Sequence, residues 1–173
     1  MKSKVKTTLL TLGLLAGSIS VAHAADGTVT FLGSVHSGAC SIKPDSVDQT
    51  VRLGAIAKHQ LESGGKSTAR SFFIELEGCD LSSLTDKTVT TAFTGAQSTI
   101  VPGAIGTVGD AGGIGIMMTH GGRPIVLGTP TTPQIISDGN NTLEFGAHVQ
   151  GQATGPIVPG EFSAVTNFTL AYQ

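Results

Sequence analysis

Gly65-Lys66-Ser67 has the closing residues of a phosphate-binding loop, in which glycine-freed amides wrap the phosphates and the lysine reaches their oxygens. That loop requires a glycine five residues before Gly65, and the residue there is Gln60; no strand-then-helix pattern surrounds it either. The run from Gly109 to Gly115 is rich in glycine but lacks the G-x-G-x-x-G order of a dinucleotide fingerprint, so it reads as a flexible loop. His36, His59, His120 and His148 stand at no paired metal-ligand spacing, and no H-E-x-x-H occurs. They are expected to be solvated or internally satisfied. No G-x-S-x-G elbow presents a serine nucleophile. The expectation is a chain with no catalytic residues, no metal and no cofactor.

The remaining reactive side chains are Cys40 and Cys79, and their chemistry depends on the compartment. Lys2, Lys4 and Lys6 precede an apolar stretch from Leu9 to Ala16, then Ala22-His23-Ala24. Positive start, short apolar run and small-x-small site, in that order, describe a removable export signal over residues 1–24, cleaved between Ala24 and Ala25. The apolar run is shorter than the roughly 20 residues a membrane span needs. Export places the two cysteines in an oxidising compartment, where a pair is expected to be a disulfide rather than two buried thiols. Cleavage leaves 149 of the 173 residues, the length of one domain. It removes three of the ten Lys and Arg, leaving seven against twelve Asp and Glu, a net −5. That balance excludes the basic footprint nucleic acid demands.

The elements that must position these residues are strands. The chain has no Trp, one Tyr and 24 Gly, a composition that favours strands and turns over helices. Val29, Phe31, Gly33 and Val35 alternate with Thr28, Thr30, Leu32 and Ser34, and Leu32 alone breaks the polar face. A strand over 71–76 turns Phe72, Ile74 and Leu76 one way and Phe73 with its glutamates the other. Further strands are expected at 89–93, 114–118 and 125–127, the last two joined by a turn at Gly121-Gly122. Residues 95–113 read as an irregular connection. Asp138-Gly139-Asn140-Asn141 reads as a turn before a strand over 142–149, whose alternation Gly146 disturbs. One alternating run from Phe162 to Tyr172 closes the chain, and 56–61 reads as a single helical turn. Seven or eight short strands punctuated by turns indicate an all-β sandwich or barrel in one domain.

With these residues in place, the chain resembles the pilins of the chaperone–usher pathway along its whole length. Residues 25–35, followed by Ala39-Cys40, are similar to a pilin N-terminal extension running into the first strand. The Cys40 to Cys79 spacing and Glu77-Gly78-Cys79 resemble the family's disulfide pattern. Pro159 to Gln173 resembles the family's C-terminal signature, with Gly160 fourteenth from the end and Tyr172 next to last.

The resemblance implies an immunoglobulin-like sandwich that lacks its final strand. Residues 25–35 would be the donor extension and residues 36–173 the pilin domain. A neighbour would supply the missing strand, inserting Gly27, Val29, Phe31, Gly33 and Val35. Phe31 would fill a deep pocket, and Gly33 would sit where no side chain fits. Gly160, Phe162, Ala164, Phe168, Leu170 and Tyr172 would belong to one groove wall, and the Gln173 carboxylate would be the chaperone's handle. Implied partners are a periplasmic pilus chaperone, an outer-membrane usher and copies of this chain or related pilins, with passage through the periplasm to a surface fimbria that supports cell adhesion. Two rivals accompany this expectation. One is a minor or adaptor subunit of the same family; the other is a self-contained secreted carbohydrate-binding sandwich, whose N-terminal strand would pair within its own fold.

Overall fold

The computed structural model describes residues 27–173. The signal expected over 1–24, and its cleavage point at Ala24 and Ala25, lie outside the described residues. The chain divides after Val35 into two units.

Residues 27–35 carry no strand, although their alternation reads as one. A strand is defined by its ladder, and alternation records only that one face suits an apolar surface. Phe31 is 89% exposed and Val35 and Leu32 are as open to solvent.

The second unit, His36–Gln173, contains eleven strands. Five are long: β2 (Arg70–Cys79), β3 (Thr88–Gly95), β6 (Ile114–His120), β9 (Gly139–Gly151) and β11 (Thr166–Tyr172). Six span two residues each: β1 (Ser41–Ile42), β4 (Ile105–Gly106), β5 (Val108–Gly109), β7 (Arg123–Pro124), β8 (Gln134–Ile135) and β10 (Phe162–Ser163). One sheet runs β1-β2-β9-β6-β4, with β7 also on β6; another runs β11-β3-β8; β10 pairs β5. All pairings are antiparallel.

The core lies between the two larger sheets. β2 contributes Ile74 and Leu76, β9 contributes Leu143, Phe145, Ala147 and Val149, and β3 contributes Val89 and Phe93, all buried. Phe93 meets Phe145 edge-on at 5.1 Å between ring centroids, and Phe72 stacks on Phe145 at 5.5 Å. Such pairs add about 0.5–1.5 kcal/mol to the burial itself. Cys40 and Cys79 form a disulfide that ties the chain before β1 to the end of β2.

Several expectations are corrected. The alternation of Leu143 to Val149 is strict, because Gly146 stands on the outer face between Ser71 and Thr119. Asn140 and Asn141 belong to β9 rather than to a turn. The Asn141 side chain closes the chain reversal itself: its Oδ1 accepts from the Ser137 N–H at 2.9 Å and its Nδ2 donates to the Ser137 carbonyl at 2.7 Å. The turn at Gly121-Gly122 forms, with φ of 56° and 77°, the left-handed values a two-residue hairpin loop needs. Its return strand is β7 at 123–124 rather than 125–127, although the Ile125 N–H still donates to the Met118 carbonyl. The 56–61 turn is 3-10 at Lys58–Gln60, and residues 95–113 include β4 and β5. An unexpected α-helical turn, α1 (Pro44–Val47), starts on a proline whose fixed φ suits that position.

Candidate functional site

The C-terminal run is not one strand. β10 pairs β5, the chain breaks at Ala164 and Val165, and β11 then pairs β3. Side chains nevertheless keep one alternation: Phe162, Ala164, Thr166, Phe168, Leu170 and Tyr172 face inward and are each only half-buried. The contrast with β3 explains why. β3 lies between β11 and β8, and its inward Val89 and Phe93 are at most 1% exposed. Among the described residues β11 has β3 on one side and no strand on the other, so its apolar row reaches the core without being covered by it. Phe168 extends the aromatic cluster to this margin, 6.3 Å from Phe93.

The backbone tells the same story. Thr88 and Gln173 exchange both hydrogen bonds, each N–H donating to the other's carbonyl at 3.0 Å. In an antiparallel ladder such pairs alternate with pairs whose N–H and C=O point away from the partner. The register therefore aims the N–H and C=O of Thr166, Phe168, Leu170 and Tyr172 at the free edge. The four residues that offer apolar side chains or a hydroxyl to the core also offer their backbone to an absent neighbour. An edge of this kind is a template for a further strand.

The facing margin is one the sequence did not disclose. β1 pairs β2 at Ser41 and Ile42 alone, and the chain then leaves the ladder through α1. The β2 edge is completed by side chains: the Ser46 hydroxyl accepts from the Glu75 N–H at 3.0 Å, and Gln49 Nε2 donates to the Phe73 carbonyl at 3.1 Å. Residues 50–57 form no strand, yet Leu53 and Ile56 are half-buried against the core. Gly38, just before Cys40, lies against the Tyr172 ring, so the β1 and β11 edges share one side of the sandwich. The signal available in the sequence was the alternation of Val51, Leu53 and Ile56, interrupted by Gly54.

Of the residues expected in the C-terminal wall, Phe168, Leu170 and Tyr172 stand on β11, with Phe162 and Ala164 continuing the row before the break. Gln173 closes the ladder against Thr88. Burial raises the Tyr172 hydroxyl pKa above its usual value. Gly160 lies apart, where the chain passes over residues 110–111. A side chain there would meet the Ala111 nitrogen at 2.6 Å and the Asp110 backbone equally closely, with no flexible group able to yield. Gly160→Ala is expected to destabilise the domain by about 1–3 kcal/mol through overpacking. A denaturant midpoint unchanged by that substitution would contradict this reading.

The histidines do not converge, and among the described residues no group of three or more His, Cys, Asp or Glu could hold a metal ion. His148 has its pKa lowered by burial. No helix among the described residues is long and apolar enough to cross a membrane.

This geometry has close counterparts. Residues 27–173 match the family described as Fimbrial protein. The chain is 49% identical to the Fimbria A protein of Serratia marcescens, over 98% of this chain and 99% of that one. It is 45% identical to the Major MR/P fimbria protein of Proteus mirabilis, over 95% and 94%. The crystal structure of the P pilus rod subunit PapA superposes with a TM-score of 0.71 at 34% identity, covering 79% of this chain and all of that one. A structure of a chaperone–usher pilus gives 0.76 at 35% identity, covering 86% and 96%.

Proposed function

The chain belongs to the fimbrial protein family, and from that premise we propose that it joins its neighbours by laying residues 27–35 of one copy along the open β11 edge of the next. It is a structural subunit of a bacterial surface fimbria, exported and assembled with copies of itself and related pilins by the chaperone–usher route. The single observation that carries the proposed joint is the β11 row, where half-buried apolar side chains and unshared backbone groups occur on the same residues. Strand addition answers both needs at once, with main-chain bonds giving affinity and alternate side chains giving selectivity.

In this reading Val29, Phe31 and Val35 point into the groove, Gly27 and Gly33 lie between and beside them, and Thr28, Thr30, Leu32 and Ser34 point out. Burying each large apolar side chain contributes about 1.5–3 kcal/mol. The bond runs from one copy to the next and does not close on itself, which is the condition for an open fibre. The chaperone holds the same edge before assembly, with the Gln173 carboxylate at its end. Nothing in this role requires catalysis.

A peptide of residues 25–35 added to dilute subunit should occupy the groove and block self-association. Phe31→Ala in the peptide should weaken it roughly 10- to 150-fold, the equivalent of about 1.5–3 kcal/mol. Equal potency of the two peptides would remove Phe31 from the joint. A self-contained sandwich would bind neither.

A further inference from the structure

The β6–β7 hairpin ends in two nitrogen-bearing side chains set side by side. The ladder pairs His120 directly with Arg123, across the Gly121-Gly122 turn. Directly opposite residues share a face of the sheet, with Cβ atoms about 4.5–5.5 Å apart. The chain then crosses from one sheet to the other through residues 125–132, and a cavity of about 180 Å³ lies between hairpin and crossing. Its wall includes His120, Arg123, Pro124, Pro130, Thr131 and Thr132. No acidic residue lines it, and residues 111–137 contain no Asp or Glu, although the mature chain carries twelve. Among the described residues Arg123 is exposed and forms no ion pair. A cation and an imidazole in a recess free of acids favour an anion.

The recess is braced from both sheets. The Ile125 N–H donates to the Met118 carbonyl of β6 at 2.9 Å. The Gly128 and Thr131 N–H groups donate to the Phe93 and Thr91 carbonyls of β3 at 2.7 and 2.9 Å. Pro124 and Pro130 fix their own φ. His120 Nδ1 and the Thr132 hydroxyl are 3.3 Å apart, which leaves Nε2 as the ring nitrogen open to a ligand. The Thr131 hydroxyl accepts from the Thr91 N–H at 3.1 Å and keeps its own proton to donate. A site held this way loses little freedom when it is filled.

We propose that this recess binds the carboxylate of an acidic sugar residue, a hexuronate. The planar guanidinium of Arg123 matches a carboxylate with two parallel N–H···O bonds. Thr131 and Thr132 suit the ring hydroxyls, and the two prolines offer an apolar wall to the C–H face of the ring. The volume is below the about 300–1,000 Å³ of pockets that enclose drug-sized ligands, so one ring enters rather than an oligosaccharide. An acidic protein side chain would use the arginine but leave the hydroxyls and the proline wall unmatched. The recess lies on the β8 side of β3, so a strand added at β11 does not reach it. Each subunit of a fibre therefore carries one. A single carboxylate contact is weak, but a polymer with an acid on every repeat engages many subunits at once.

The test measures binding of purified fibres to immobilised polygalacturonate, with dextran as the neutral polymer and polyglutamate as the acidic polypeptide. Unaltered fibres should hold polygalacturonate at least about 10-fold more tightly than either of the others. Arg123→Gln should weaken that binding by about 10- to 100-fold, the loss of charge-assisted hydrogen bonds. Arg123→Lys keeps the charge without the fork and should restore only part of it. Arg70→Gln removes another exposed arginine, outside the recess, and should leave binding unchanged. Fibre length matching that of the unaltered chain shows that each variant folds and assembles. Should Arg123→Gln fail to assemble, Thr132→Val, which releases the His120 ring, should weaken binding in its place. Equal losses in Arg123→Gln and Arg70→Gln would reduce the effect to overall charge and overturn the site. Polyglutamate bound as tightly as polygalacturonate would overturn the sugar as its ligand, and so would fibres that hold neither. None of these readings depends on which residues form the joint between subunits.

Discussion

Deleting Ala25 to Val35 should leave a subunit that folds with its chaperone and accepts a neighbour's strand, yet donates none. The groove belongs entirely to His36–Gln173, where Phe168, Leu170 and Tyr172 are packed on a core built from β2, β3 and β9. Of the deleted residues, Val29, Phe31 and Val35 are exposed. What is lost is the joint. In the proposed joint, burial of Val29, Phe31 and Val35 in the next groove would be worth about 1.5–3 kcal/mol each, before the backbone ladder is counted. The truncated subunit should act as a stopper: mixed with the full chain, it ends each fibre at the point where a donor is required, and mean length falls as its share rises. Ladder length on a denaturing gel, with chaperone co-purification as the folding control, reads both effects. Fibres of unchanged length with the truncated chain throughout would remove the extension from assembly.

Breaking the disulfide should have an effect almost as large, by another route. Cys40 and Cys79 are 39 residues apart in sequence and both are buried. Releasing a loop of that length costs roughly 3–4 kcal/mol in the chain-entropy account, against a typical domain stability of about 5–15 kcal/mol. The loop also contains most of one groove margin: β1, α1, Leu53 and Ile56 all lie between the two cysteines. β1 makes only two residue pairs with β2, so without the covalent tie this margin is held by a few single contacts: the Lys43–Glu75 ion pair at 3.3 Å, the Ser46, Gln49 and Lys43 hydrogen bonds to β2, and the half-buried side chains of Leu53 and Ile56. A half-exposed surface pair of that kind is worth about 0–1 kcal/mol. Cys40→Ser with Cys79→Ser should therefore lower the chaperone-bound yield several-fold and make the released subunit prone to proteolysis between 43 and 57. Equal yield and protease resistance would show that packing alone holds the margin.

The sequence disclosed what rests on local periodicity. Ile74 and Leu76 announced β2 because they alternate with Phe73 and Glu75 over a stretch with no glycine, and the cysteine pair followed from the export signal. Other features depend on contacts between distant segments. Pairing of β10 with β5 but β11 with β3 cannot be read from Phe162 to Tyr172, whose inward row is continuous across the break. Asn140 and Asn141 look like turn residues because their side chains bond backbone; Asn141 does so from inside β9, closing a reversal centred on earlier residues. Gly160 is required by the passage of the chain over Asp110 and Ala111, far away in sequence. The 50–57 margin escaped notice because it is apolar at Val51, Leu53 and Ile56 yet forms no strand. The open edge itself was expected through resemblance; only the register shows which amides it leaves unshared.

Amide exchange along β11 tests the missing strand most directly. In dilute subunit freed of chaperone, the amides of Asn167, Thr169 and Ala171, turned toward β3, should be protected, while those of Phe168, Leu170 and Tyr172 should exchange at the rate of open chain; in the fibre all six should be slow. Six protected amides in the free subunit, unchanged on polymerisation, would mean that the edge is already covered and no strand is wanting.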